Sequence, residues 1–513
     1  SLFFAMITLF CGRPMHAAED CCYAVSSIEL YDVLGYALEN QWDINIAQEE
    51  VRRQYGISQR DSGPFDPVFD TSIAYTWQHQ VQDLAIKTNK DGNIVTQQAS
   101  LNKLARVGTT YSLNATVERE LNPIFAFTDP FRRTNTFNLA FVIDQPLLRR
   151  FRDNIEATQE KVSVLELQAI KWEAIHTIST QIRIAVNSYW ELVATKGLLK
   201  IRQDSLQRLD NLADSTERLV ERGQLAKSEL NQQYAEVSKE KRRSADAEQQ
   251  VYAAFNNLLL SMGANQCDFT LSSPDLALEE FPITSNNKSI LSVNRLVDEA
   301  THQRLDLLAA QIRINSADLL LRSANNTVLP EMNVRLGTNV INHEINRKAK
   351  PFYSSVISER PEVELFAALD FSIPFYNDEA LGERRRRRAE KYQSFLGEAE
   401  LMASIRSDVA TALRDHYALF EQIQAADESV KWYEKALRDE VDRMKEGLST
   451  LFIVIDFENR LSDALTDRVL VYRNFAQNIV DLLFLTGKLI IPCENSDRVM
   501  IANVRSLEAL NER

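Results

Sequence analysis

Within the run from Gln145-Pro146 to Arg222-Gly223, a seven-residue step from Ile178 onward meets only apolar residues: Ile178, Ala185, Leu192, Leu199, Leu206, Ala213 and Val220. A 3.5-residue repeat kept over so many heptads demands a long helix, under-wound so that one seam stays against partner helices. The seam returns 224 residues later as Met402, Val409, His416, Ile423, Val430, Leu437 and Met444, with His416 its one polar member. The closing glycines keep the same offset, Gly223 to Gly447 and Gly263 to Gly487. The chain is therefore a tandem duplication built on long helices, and its fold must be read as a repeat.

Ahead of the first long helix, Leu30, Leu34, Ala37, Ile44, Ala47 and Val51 predict a helix from Ser27 to about Gly63, where Gly63-Pro64 stops it. The period then changes to two. Val68 to His79 alternates Phe69, Thr71, Ile73, Tyr75 and Trp77 against Asp70, Ser72, Ala74, Thr76 and Gln78. Thr109 to Arg119 and Asn135 to Gln145 alternate likewise, and Val95 to Lys103 does so more weakly. Pro146 closes this strand-rich section. Gly223 turns the chain back into a helix from about Ser228 to Met262, and a polar connector with Pro274 and Pro282 follows.

The second half replays the first. Ala37, Asp43, Gln48 and Pro67 map onto Ala300, Asp306, Gln311 and Pro330, and strands are predicted from Met332 to Val340 and from Val363 to Ile373. Pro374 matches Pro146. The stretch between the paired prolines is longer in the first half, which places an inserted hairpin in the Val95–Arg119 region. These marks divide the chain into a leader (1–18), a first repeat (28–263), a linker (264–292), a second repeat (293–487) and a tail (488–513).

A net charge of -14 argues against general nucleic-acid binding. No apolar run reaches the ~18 residues a transmembrane helix needs. Leu2 to Phe10, followed by Ala17-Ala18, reads as the apolar core and cleavage site of an export signal, although no basic segment precedes it. Neither Cys11 nor Cys21 follows a small residue, which weighs against lipid attachment. In an oxidising compartment a bridge among Cys21, Cys22, Cys267 and Cys493 is allowed. Cys267 and Cys493 each follow a repeat-ending glycine and form the candidate pair. No metal spacing, phosphate loop or nucleophile elbow is present, so neither a cofactor nor an enzymatic role is expected.

At 1.5 Å per residue the helix from Pro146 to Gly223 spans roughly 110 Å, about the summed length of the two shorter helices of its half. Each half then reads as one full-length helix beside two half-length helices, with strands at one end and glycine turns at the other. Ten-residue strands, apolar on one face, fit an outer-membrane barrel. One chain has too few of them for the ~8 such a barrel needs, so several copies must combine. The alternative is a periplasmic coiled-coil spacer without a pore. The export signal and the aromatic ends of the strands (Phe69, Tyr75, Trp77, Phe137, Phe371) speak against it.

In order and in duplicate, these phrases resemble the TolC family of outer-membrane efflux proteins from about Ile28 to Leu489. The marks are Ala37-Leu38-Glu39-Asn40, the strand-to-helix phrases Asp144-Gln145-Pro146-Leu147-Leu148 and Ser372-Ile373-Pro374-Phe375-Tyr376, and Glu446-Gly447-Leu448-Ser449-Thr450 followed by Val454-Ile455-Asp456. The resemblance implies a mostly helical fold in which coiled-coil helices of a homotrimer form a tunnel joined to a shared outer-membrane β-barrel. Each protomer of the family supplies four strands to a barrel of twelve, a count the inserted hairpin puts in question. It also implies an exit duct in the outer membrane of a Gram-negative-type cell, with a large periplasmic extension. Such a duct is served by a periplasmic adaptor and an inner-membrane pump.

By position the adaptor-docking tips are Arg222, Gly223, Gln224, Leu225 and Ala226, with Glu446, Gly447, Leu448, Ser449 and Thr450. The constriction falls at Asp456, Glu229 and Ile453, the last standing where well-known members are acidic. Three copies of Asp456 around an axis would repel one another and favour cations. Trp77, Tyr75, Phe137 and Phe371 are candidates for the membrane interface. Arg384, Arg385 and Arg386, within a run of five arginines, are read either as contacts to anionic lipid headgroups or as a solvated helix face.

Overall fold

A computed structural model describes residues 23–25, 27–80, 90–121, 133–151, 154–223, 226–264, 269–271, 278–282, 292–346, 351–357, 361–492 and 499–504. The proposed leader, all five cysteines (the Cys267–Cys493 pair included), and Gln224 and Leu225 lie outside the described residues. In chain order the elements are β1 (Tyr23–Val25), α1 (Leu30–Asn40), α2 (Trp42–Ser62), β2 (Val68–Gln80), β3 (Lys90–Leu104), β4 (Thr110–Leu121), β5 (Arg133–Pro146), α3 (Ile155–Glu221), α4 (Lys227–Met262) and β6 (Phe269–Leu271). The second half holds α5 (Val293–Gln303), α6 (Leu305–Thr327), β7 (Glu331–Asn346), β8 (Glu362–Ser372), α7 (Asp378–Lys445), α8 (Leu451–Leu485), β9 (Ile490–Pro492) and β10 (Val499–Ile501). They fall into two compact units, one of residues 1–52, 170–309 and 398–513, the other of residues 53–169 and 310–397.

The second unit is built on one antiparallel sheet in the order β2-β3-β4-β5-β7-β8. The weakest sequence signal, Val95 to Lys103, belongs to a 15-residue strand, longer than β4 beside it. Directly paired residues share a face, and the register sorts the side chains. One face carries Phe69, Tyr75, Leu101, Leu113, Phe141, Leu336 and Leu365; the other carries Asp70, Ser100, Ser112, Asn138, Asn339 and Glu364. Within the chain the sheet is open, with β2 and β8 at its edges.

The first unit is helical. Its core centres on Tyr189, Trp190 and Phe475 with Leu30, Leu34, Leu192, Leu258 and Leu296, all almost wholly buried. Tyr189 Oη donates to the Ile28 carbonyl at 3.2 Å and accepts from the Glu279 amide at 3.1 Å, which ties two irregular segments to α3. Two small sheets flank the helices, β1 parallel to β6 and β9 antiparallel to β10.

Three sequence expectations are corrected. The helix expected from Ser27 to Gly63 is two helices, because Gln41 takes extended backbone at φ −64°, ψ 127°. Gln41 Oε1 accepts from the Asp43 amide and, at 3.2 Å, from the Ile44 amide, and Nε2 donates to Gln181 Oε1 at 3.1 Å. These bonds satisfy groups the break would leave unpaired. The second half breaks at the equivalent residue, Arg304 (φ −71°, ψ 121°), whose guanidinium bonds Asp306 at 2.5 and 3.0 Å. A glycine backs each break. A Cβ on Gly263 would stand 2.5 Å from the Asn40 carbonyl oxygen, and one on Gly487 2.9 Å from the Gln303 carbonyl, while both residues hold positive φ.

The long helix begins at Ile155 rather than Pro146, since Pro146 still pairs with Asn333 and Asn154 Oδ1 caps the Ala157 amide at 2.6 Å. The second heptad seam is shorter than its pattern. Met402 is exposed, whereas Val409, Val430 and Leu437 are buried.

Candidate functional site: the strand wall and the glycine turns

The strand wall owes its two characters to alternation. On the edge strands the apolar face lies open, with Phe69 67%, Trp77 59%, Leu365 80% and Phe371 60% exposed. An apolar surface on that scale marks a site of contact with lipid or protein. Of the membrane-interface candidates, Tyr75, Trp77, Phe137 and Phe371 all lie on this face by register.

At the end of the sheet away from its helices the same face turns polar and is covered. Residues 351–357, ending in a 3₁₀ turn, lie over it. Asn135 Nδ2 donates to Ser354 Oγ at 3.0 Å and to the Pro351 carbonyl at 3.4 Å. Arg119 donates to Asn135 Oδ1 at 2.9 Å and stacks over Phe352, while Tyr353 Oη bonds Gln97. Periodicity could not find this strap, because it depends on side chains brought together from four separate segments.

The arginine run sits in the first turns of α7. Arg386 pairs with Glu383 at 2.6 Å and Glu390 at 2.8 Å, and Arg387 bonds the same two carboxylates. The Arg386 guanidinium holds the Glu383 carboxyl below the usual carboxylate range. Two of the five arginines in the run are thus paired within their own helix. Arg384 is half-buried and Arg385 exposed.

Both long-helix hairpins turn on a left-handed glycine, Gly223 at φ 70° and Gly447 at φ 76°. Neither would bring a Cβ within 4 Å of another group, so the dihedral alone calls for glycine there. The Leu448 amide donates to the Arg443 carbonyl at 2.9 Å and the Gly447 amide to the Met444 carbonyl at 3.0 Å, a Schellman closure. Ser449 Oγ donates to the buried Glu440, which also pairs with Arg443 at 3.2 Å. Beyond the turn, Leu448 and Phe452 are exposed by 65% and 67% and Ile453 by 38%. Arg222, Ala226 and Glu446 are exposed as well.

Of the acidic residues expected at a constriction, Asp456 is half-buried and pairs with Arg460 at 2.8 Å on its own helix. Glu229 is half-buried in the first turn of α4. A buried ion pair nearby was not read from the sequence. Glu458 is 4% exposed, and the Arg208 guanidinium grips it at 2.8 to 3.0 Å while Ser205 Oγ donates at 3.0 Å. A heptad pattern records the apolar seam and is silent on which polar side chains cross it.

A duplicated helical body followed by an open antiparallel sheet is also the fold of solved outer-membrane channels. No family model matches the sequence, and no curated protein matches it. Solved structures do. The chain is similar to the outer-membrane channel OprN at 14% identity and TM-score 0.67, covering 90% of each chain. It is similar to the Campylobacter jejuni CmeC outer membrane channel at 13% and 0.66, covering 95% of each. It is also similar to the open state of the Neisseria gonorrhoeae MtrE outer membrane channel at 13% and 0.62, over 94% of this chain and 98% of that one.

Proposed function

We propose that this chain is one protomer of a homotrimeric outer-membrane channel, the exit duct of a tripartite efflux or type I secretion system. Its partners in that reading are a periplasmic adaptor, an inner-membrane pump and the outer-membrane lipid around the barrel; it performs no chemistry itself. The observation that carries the reading is the strand wall, one face exposed and apolar, the other polar, with two unpaired edges. A soluble spacer would expose both an aggregation-prone face and two open edges. In a lipid-embedded barrel of several copies, the face meets acyl chains and the edges pair with those of neighbouring copies.

The glycine turns are then the adaptor-docking tips, with Leu448 their exposed apolar contact. The constriction lies at Asp456, Glu229 and Ile453. The Asp456–Arg460 pair leaves the constriction a mixed charge, so cation preference is weak in the native channel.

Planar-bilayer recording of detergent-extracted protein tests this. Discrete conductance steps are expected, with Arg460→Ala more cation-selective than the native protein and Asp456→Ala less so. A folded trimer silent even with a loosened Gly447 turn, or a protein recovered in the soluble fraction, would replace the channel with the coiled-coil spacer.

A further inference from the structure

The inserted hairpin, β3–β4, is a full part of the strand wall. It pairs with β2 over the whole of β2 and with β5 over the whole of β4, without a gap in register. Its strands of 15 and 12 residues match their neighbours in length. Its alternation also continues theirs: Leu101 and Leu113 join the apolar face, Ser100 and Asn114 the polar face. A plug or a surface hairpin would share neither pattern.

The remaining edges point to a second copy of this chain. β2 leaves the helical end of the sheet and β8 returns to it, so β2 of one copy and β8 of the next meet antiparallel, like every other pair in the sheet. On the apolar face neither edge carries a proline or a lysine, the usual guards of an exposed edge.

We infer that β2 of each copy pairs with β8 of its neighbour, and that three copies of the six-stranded wall close a barrel of eighteen strands. The count rests on the trimeric channel proposed above. It satisfies the even strand number of outer-membrane barrels and lies in the size range that leaves an open aqueous lumen. Because diameter grows about linearly with strand number, this barrel is about 1.5-fold wider than one of twelve strands. The outer-membrane passage is then wide, and any restriction on cargo belongs to the helical end.

Electron cryomicroscopy of the extracted full-length protein, viewed down the barrel, counts the strands directly. Eighteen is expected. Twelve, with one hairpin of each chain outside the wall, would overturn the inference and leave the channel standing; particles without a barrel would overturn both. A cysteine panel at Ser72 and Thr76 of β2 with Glu364 and Ala368 of β8, all on the polar face, gives a second reading. Oxidation should link copies into a ladder ending at three. No linked pair anywhere in the panel would exclude β2–β8 closure.

Discussion

Single residues carry the repeat. Gly263 and Gly487 each combine a left-handed dihedral with backbone closer than a Cβ allows, whereas Gly223 and Gly447 need only the dihedral. Alanine at Gly487 should therefore cost more than alanine at Gly223, where about 1 kcal/mol is the expected loss. Thermal unfolding of the helical circular-dichroism signal would rank the two, and equal losses would refute the packing argument. His416 is a second case. It stacks on Phe475 with centroids 5.1 Å apart, and its Nδ1 meets Asn478 Oδ1 at 3.1 Å. Burial pushes its pKa down. A depressed histidine binds protons more readily unfolded than folded, so its contribution is intact above the unfolded value near 6.5 and is lost as pH falls toward the folded one. Stability should decline below about pH 6.5, and less steeply in His416→Gln. Parallel pH profiles of the two proteins would decide it.

Among elements, α3 shows what heptad spacing does and does not report. Leu192 lies in the seam and is wholly buried, so Leu192→Ala should cost about 2–5 kcal/mol. Leu206, half-buried in the same stripe, should lose clearly less; denaturant midpoints would test the order. Where α3 meets α8 the decisive contact is the Arg208–Glu458 pair. Removing one partner strands the other, so Glu458→Ala should destabilise by about 2 kcal/mol, less than a fully buried pair because Arg208 is partly solvated. Periodicity located the strands and glycine turns to within a few residues. It missed the breaks at Gln41 and Arg304, because a glutamine or arginine in a helical pattern carries no stop signal. Behind each break lies a glycine more than 180 residues away in sequence, whose missing Cβ lets the two backbones meet there.

At the scale of the whole molecule, the strand wall makes the channel reading testable by face. Leu365→Lys on the apolar face should cost about 2–4 kcal/mol near the bilayer midplane and deplete the protein from outer-membrane fractions. Ser100→Lys on the polar face should leave recovery close to native. Equal depletion by both would mean the faces are wrongly assigned. The sequence by itself determined the duplication, the helical class, the period-two strands and the place of the turns, because each follows from local spacing and from residues with restricted dihedrals. Only the tertiary structure decided that the inserted hairpin joins the wall, that a strap covers one end of the apolar face, that Glu458 is held by Arg208, and that the paired helices break. Those depend on contacts between segments far apart in the chain, and the spacing of residues along one segment holds no record of them.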